Sequence, residues 1–330
     1  MIEVHDKIGI PKYQQIVFAV EKAIIRGKLK KGDQIPSINT IRDTNNLSRD
    51  TVLMAFNELR TRGIIQSVIG KGYYVTSEKI SVKQKVLLLF DELNSFKEEL
   101  YNAFINNLGN NIDVDIYFHN FNHNVFSTII EHNIGNYSHY IVMPANLRGT
   151  EKVLRKLPDD RVYILDQMPT SLEKYPGIFQ NFKNDIYNSL NSAKTQIKKY
   201  ERLILVFSED KQPIGMHDGF VSFCNDLGIP YDILQSLHDH TISKGNLYII
   251  PDDKNLLEII KMLRNTLLKL SDDIGIISYN DTLLKEVVEG GITTISTNFT
   301  HMGQRLAEMI QNKEKLHIEN PNQLIIRNSL

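Results

Sequence analysis

In the first quarter of the chain the apolar positions fall at helical spacing and then switch to strand spacing. Tyr13, Ile16, Val17, Val20 and Ile24 recur every three or four residues. Residues 11–27 therefore read as an amphipathic helix with Gly27 at its C-terminal cap. Gly32 and Pro36 break the next stretch into turns. Ser37 can cap a short second helix through Ile38, Ile41 and Arg42, which Asn45-Asn46 ends. Ser48 can cap a third, with Val52, Ala55, Phe56 and Leu59 on its inner face. After Gly63, two β-rich runs at 64–68 and 73–75 flank Gly70-Lys71-Gly72 and predict a hairpin.

From residue 85 the pattern changes again. Short apolar runs at 85–90, 113–118, 140–143, 162–165, 202–207, 231–234, 246–250, 274–278 and 293–296 alternate with helical stretches. One such helix is 96–108, with Phe96, Leu100, Ala103, Phe104 and Leu108 inward. Strands alternating with helices imply parallel sheets covered on both faces. Two series of similar size predict two lobes. The domains expected are a head at 1–76, a polar linker at 77–84 and a body at 85–330.

Charge sharpens this division. Residues 1–80 carry 13 basic and 8 acidic side chains, a net of +5, which leaves −6 on the remainder of a chain whose total is −1. A basic head fits phosphate contact. A short helix, a tight turn and a second helix with polar leading residues is also the arrangement that enters a DNA major groove. Taken singly, Arg49 and Lys71 read as surface charges, and Gly70 and Gly72 as turn chemistry. They gain meaning by falling in one ordered pattern.

That pattern resembles the GntR family of winged-helix regulators. The family's Tyr, I-x-x-G-x-L-x-x-G-D-x-x-P-S turn, S-R-x-T-V helix and G-x-G wing are matched by Tyr13, Ile24 to Leu29, Gly32-Asp33, Pro36-Ser37, Ser48 to Val52 and Gly70-Lys71-Gly72. The resemblance covers about residues 11–76. It implies DNA contact by Ser37, Asn39, Ser48, Arg49, Thr51, Lys71 and Gly72. Asn39 departs from the family, which often has arginine there, so operator preference is expected to differ.

The body resembles the effector domain of LacI-type regulators and the type I periplasmic sugar-binding proteins. The matching pieces are the strand and loop from Val86 to Phe96, the strand ending at Asp166, Gly219-Phe220 through Gly228-Ile229, Ile274 through Asp281, and Thr293-Thr294-Ile295 followed by Met302-Gly303. The fold expected is an N-terminal winged helix-turn-helix (α+β) followed by a two-lobed α/β periplasmic-binding-protein-like domain. The resemblance places effector contacts at Asp91, Ser95, Phe96, Asp166, Asn181, Met216, His217, Asn280 and Phe299. Met216 stands where the family has a ligand-gripping arginine, and Asn280 where it has an aspartate. Both changes remove charge, which suggests a less polar monosaccharide such as a pentose or fucose. Phe96 and Phe299 read equally well as core.

Composition adds exclusions. Hydrophobic residues make up 42% and charged residues 23% of 330, ordinary for a globular protein. The single Cys224 permits no internal disulfide and reads as a buried thiol. No signal pattern or run long enough to span a membrane appears, so a cytoplasmic protein is expected. Phosphate-loop, dinucleotide, nucleophile-elbow and zinc-protease signatures are absent. The spacings His119–His123 and His238–His240 complete no familiar metal set, and no cofactor is expected. The expected partners are operator DNA, a sugar effector and a second copy of the chain, with no membrane. Two rivals remain open at this point: an enzyme with an aminotransferase-like body on a DNA-binding head, and a two-lobed sensor of a protein partner.

Overall fold

The computed structural model describes residues 2–5, 10–78, 84–109 and 112–330. Most of the expected linker, 79–83, lies outside the described residues. In the head, α1 (Lys12–Ile25), α2 (Ile38–Asn45) and α3 (Arg49–Thr61) are followed by β1 (Ile65–Val68) and β2 (Gly72–Val75). The two strands pair antiparallel, Ile65 opposite Val75 and Val68 opposite Gly72. Ile16, Val20, Val52, Phe56 and Leu59 are fully buried and form the head's core. The hairpin turn needs Gly72, whose φ is +105°, a region that side-chain-bearing residues rarely adopt.

The first lobe contains β3 (Gln84–Phe90), α4 (Ser95–Asn107), β4 (Ile112–Phe118), α5 (His123–His132), β5 (His139–Val142), α6 (Thr150–Leu154), β6 (Val162–Asp166) and β7 (Gly177–Phe179). The second contains α7 (Phe182–Ser192), α8 (Lys194–Ile197), β8 (Arg202–Val206), α9 (Ile214–Leu227), β9 (Tyr231–Leu234), β10 (Asn246–Ile250), α10 (Asp253–Arg264), β11 (Gly275–Tyr279), α11 (Leu283–Val287) and β12 (Thr293–Thr297). The chain then returns to the first lobe with α12 (Phe299–Asn312) and β13 (His317–Glu319), and ends in the second with β14 (Asn322–Ile325). The two six-stranded sheets run β13-β7-β6-β5-β3-β4 and β14-β12-β11-β10-β8-β9. All pairings are parallel except β12 with β14.

Each sheet has an apolar core on both faces, which is why β3, β6, β8, β10 and β11 are nearly continuous hydrophobic runs. Helix α12 packs on α4 so closely that a Cβ at Gly303 would lie 2.4 Å from the Leu100 carbonyl oxygen. Three strands, β7, β13 and β14, have no counterpart in the sequence pattern. They run three or four residues each, and β13 and β14 are sheet edges. No helix among the described residues is long and apolar enough to cross a membrane.

Candidate functional sites

The head presents its polar residues in two matched devices. Ser37 Oγ accepts from the Thr40 N–H at 3.1 Å, and Ser48 Oγ accepts from the Thr51 N–H at 3.2 Å. Each serine hydroxyl also lies 2.8 Å from the hydroxyl of its threonine. Ser37 and Ser48 thus act first as N-caps, which satisfy otherwise orphaned backbone donors. The side chains left free beside them are Asn39 and Arg49, both exposed. Arg49 makes no ion pair among the described residues. Asn46, in the left-handed conformation at φ 51°, turns the chain between α2 and α3. Lys71 stands exposed at the hairpin tip, where Gln34 Nε2 donates to its carbonyl oxygen at 2.6 Å. The sequence pattern gave no sign of this brace from Gln34 to the wing.

The second candidate site lies between the lobes, at the carboxyl ends of the strands, where α/β folds open crevices. An inner chamber of about 290 Å³ is lined by both lobes. Asp91, Phe96, Asp166, Met216 and Asn280 all line it. It opens past Phe182, Gln212 and Pro213 into a wider mouth of about 900 Å³.

The other four residues expected there stand elsewhere. Ser95 opens α4 on an outer depression beside Glu98, Glu99 and Thr300. Asn181 lies on the wider mouth, where its side chain caps α7 and donates to Glu319 Oε2 at 3.0 Å. His217 Nδ1 lies 3.0 Å from Asp218 Oδ1, outside the chamber. Phe299 is 3% exposed and belongs to the first lobe's core, stacked on Phe96 with ring centroids 4.9 Å apart.

The chamber floor carries charges that the sequence pattern did not single out. Lys97, 3% exposed, is ion-paired with Asp91, whose Oδ1 also accepts from the Glu92 N–H at 2.7 Å. Asp166 sits close by at φ 74°, and Gln180 Nε2 donates to its Oδ1 at 2.5 Å. Burial holds the Asp166 carboxyl above the usual carboxylate range, although the Lys97 ammonium works against it. On the facing lobe Lys285, 1% exposed, pairs with Asp253 at 2.9 Å and donates to the carbonyl oxygens of Tyr279 and Asn280. Burial lowers its pKa. The Tyr279 hydroxyl and Asn280 Oδ1 are buried without a hydrogen-bond partner among the described residues. An unfilled polar atom in a roomy cavity is a place for a ligand or water to bind.

Two further signs mark this region. Non-glycine residues with left-handed backbone collect at the strand ends around it: Asn120, Phe121, Ala145, Asp166 and Asn280. Such strain concentrates where function over-determines the backbone. At the mouth, Asn146 Nδ2 reaches across to the carbonyl oxygens of Glu209 at 3.0 Å and Gln212 at 2.8 Å. The Lys211 ammonium lies 5.8 Å from the centre of the Phe121 ring.

The histidines of the two expected pairs have other neighbours. His119 is buried, with Nε2 3.0 Å from the Met143 carbonyl oxygen and its ring against Phe126. His123 is exposed on α5. His240 meets the Tyr248 hydroxyl at 3.0 Å, and His238 lies beside Asp239. No group of three or more potential ligands occurs among the described residues. Cys224 is buried, and burial pushes its thiol up to about 12.

With this geometry in place, comparison with known proteins gives the family of the head and the fold of the body. Residues 12–75 match the family described as bacterial regulatory proteins, gntR family. The HTH-type transcriptional repressor YtrA of Bacillus subtilis (strain 168) is 30% identical over 100 residues, 30% of this chain and 73% of YtrA. Among solved structures, the dimeric Lac repressor with an 11-residue C-terminal deletion superposes with a TM-score of 0.63 at 13% identity, over 74% of this chain and 98% of that one. The trehalose repressor from Escherichia coli superposes at 0.59 with 14% identity, over 74% of this chain and all of the repressor (100%). These likenesses show that the body has the two-lobed fold of LacI-type repressors. An aminotransferase-like body is not what they find.

Proposed function

The chain belongs to the gntR family of bacterial regulatory proteins; on that premise we propose that it binds operator DNA through its head and that a monosaccharide, such as a pentose or fucose, controls it from the cleft of its body. Arg49 and Asn39 read base edges, helped by Thr51, while Lys71 and the backbone at Gly72 meet phosphate or the minor groove. Two copies act together in the cytoplasm, each head on one half-site. Binding between the lobes favours one lobe angle, and the two heads are respaced with it.

The observation that carries the effector reading is the chamber itself. Its volume of about 290 Å³ suits one small ligand, and aromatic faces at Phe96, Phe121 and Phe182 stand beside buried carboxylates at Asp91 and Asp166. Sugars need both, since hydroxyls seek polar partners and ring C–H faces seek apolar platforms. The buried lysines are already paired, Lys97 with Asp91 and Lys285 with Asp253. That supports an uncharged ligand in the inner chamber.

A thermal-shift screen of the full chain against neutral monosaccharides, read beside operator binding by mobility shift, tests the proposal. A sugar that raises the melting temperature and changes operator affinity is expected. If none does while operator binding is intact, the sugar reading is wrong and the DNA-binding reading stands.

A further inference from the structure

Three segments cross between the lobes: 180–181 between β7 and α7, 298 between β12 and α12, and 320–321 between β13 and β14. Backbone bonds lace the last two together and tie the third back to β7. Asn320 N–H donates to the Phe179 carbonyl at 2.8 Å, and Asn298 N–H donates to the Pro321 carbonyl at 3.1 Å. Asn320 Nδ2 also donates to the Asn298 carbonyl at 3.0 Å.

Through this waist runs a second line of bonds, made by side chains. Ser189 Oγ, on α7, donates to Asn322 Oδ1 at 3.3 Å. Asn322 Nδ2 donates to Thr297 Oγ1 at 3.4 Å. Thr297 Oγ1 donates to Gln180 Oε1, and Gln180 Nε2 donates to Asp166 Oδ1 at 2.5 Å. Every donor points the same way, from the second lobe towards one carboxylate on the chamber floor. Gln180 turns its amide nitrogen to the Asp166 carboxyl, so its amide oxygen faces away from it. The amide oxygen must then accept from Thr297, which leaves the Thr297 lone pair for Asn322. Bonds aligned head to tail polarise one another in a poorly solvated interior. Asp166, Gln180 and Thr297 are all buried, at 6%, 6% and 4% exposure.

We infer that Gln180 is a positioning residue that couples the chamber floor to the lobe angle, by holding Asp166 of the first lobe and Thr297 of the second on the two ends of one rigid amide. A ligand hydroxyl that donates to Asp166 competes for the same carboxyl that anchors the line, so occupancy of the floor and tension across the waist become one equilibrium. The inference rests on the effector reading only for what it regulates. The device itself is testable without a ligand, so its failure is distinguishable from the failure of a sugar screen.

The test measures the distance between lobes in the full, ligand-free chain. Nitroxide labels go on Asn124→Cys in the first lobe and Lys254→Cys in the second, both exposed positions, while the native Cys224 is buried. Gln180→Met keeps length and removes both bonds, and Thr297→Val removes the hydroxyl. Each is expected to widen the distance distribution about twofold, with the pair no wider than either alone, because both cut the same line. Thr297→Ser keeps the hydroxyl and should keep the narrow distribution. A merely structural role would lower the melting temperature and leave the width unchanged, which overturns the inference, as does additive widening in the pair. Should Gln180→Met fail to fold, the contrast between Thr297→Val and Thr297→Ser decides alone.

Discussion

The recognition face of the head and the floor of the cleft solve opposite problems. The head's candidate residues are exposed, apart from the half-buried Thr51 and Gly72, span 36 positions from Ser37 to Gly72, and keep Arg49 free of ion pairs among the described residues. Its partner is expected from outside and brings the opposite charge, so the site can wait solvated. The cleft's polar residues come from strand ends and helix starts across 195 positions, from Asp91 to Lys285, and each of its buried lysines is held by a carboxylate. Charges taken out of water must be balanced within the protein before any ligand arrives. The difference teaches that substitutions in the two places should fail in different ways. Those at the head's free side chains should cost binding and spare the fold, and those in the cleft floor should cost both.

The largest effect expected is Lys97→Ala. Removing one partner of a buried ion pair leaves Asp91 without its counter-ion, beside a second buried carboxylate at Asp166. A loss of about 3–5 kcal/mol in stability is expected by urea unfolding. A loss below about 1 kcal/mol would mean the pair is solvated and behaves as a surface bridge.

Arg49→Ala is the matching experiment on the head. Operator affinity should fall by roughly 1–3 kcal/mol with no change in melting temperature. Since Ser48 caps α3, Ser48→Ala should instead lower stability, by about 1 kcal/mol. If Arg49→Ala keeps full operator affinity, α3 is not the recognition helix.

The same contrast decided what could be read from sequence. The head was legible because its caps, turn and wing are local: S-x-x-T recurs at Ser37–Thr40 and Ser48–Thr51, and both serines cap helices. The fold of the body was legible because strands buried on both faces are continuous apolar runs. Its site was only partly legible. Lys97 falls on the same stripe as Leu100 and Phe104, three and seven residues on, so the sequence does show a charge on an apolar face. Its pairing with Asp91 depends on how the first turn of α4 sits against the end of β3, which spacing alone does not give. Phe299 read equally well as ligand contact or as core, and the structure places it in the core. An aromatic near a strand end reads as a ligand platform, but the close approach at Gly303 turns it into the α4–α12 interface. The line from Ser189 to Asp166 joins residues from four strands and helices and one crossing, far apart in the chain, and had no local signal.

A smaller effect should come from Asp185, on the first turns of α7. Burial, with Glu319 nearby, pushes its carboxyl up to about 7, and Oδ2 has no hydrogen-bond partner among the described residues. A carboxyl with a raised folded pKa binds its proton more tightly when folded. Its contribution is therefore most favourable below the unfolded pKa near 4 and is lost as pH rises towards about 7. Asp185→Asn should raise the melting temperature at pH 8 and match the unsubstituted chain at pH 4. Parallel pH profiles for the two proteins would show that Asp185 is better solvated than its surroundings suggest.

The finest test bears on where this head departs from its relatives. Asn39 stands exposed on α2 in the position where the family often carries arginine. Asparagine can bond a base or a phosphate but releases no counter-ion, so the present head should bind with a shallower dependence on salt. Asn39→Arg adds one cation without touching the Ser37 cap. If that position faces phosphate, the slope of log affinity against log salt should steepen by about one unit while the preferred sequence stays the same. If it faces a base edge, the slope should change little and the preference should move towards guanine at one position in each half-site. An unchanged slope with unchanged preference would place Asn39 outside the interface and leave DNA reading to α3 and the wing.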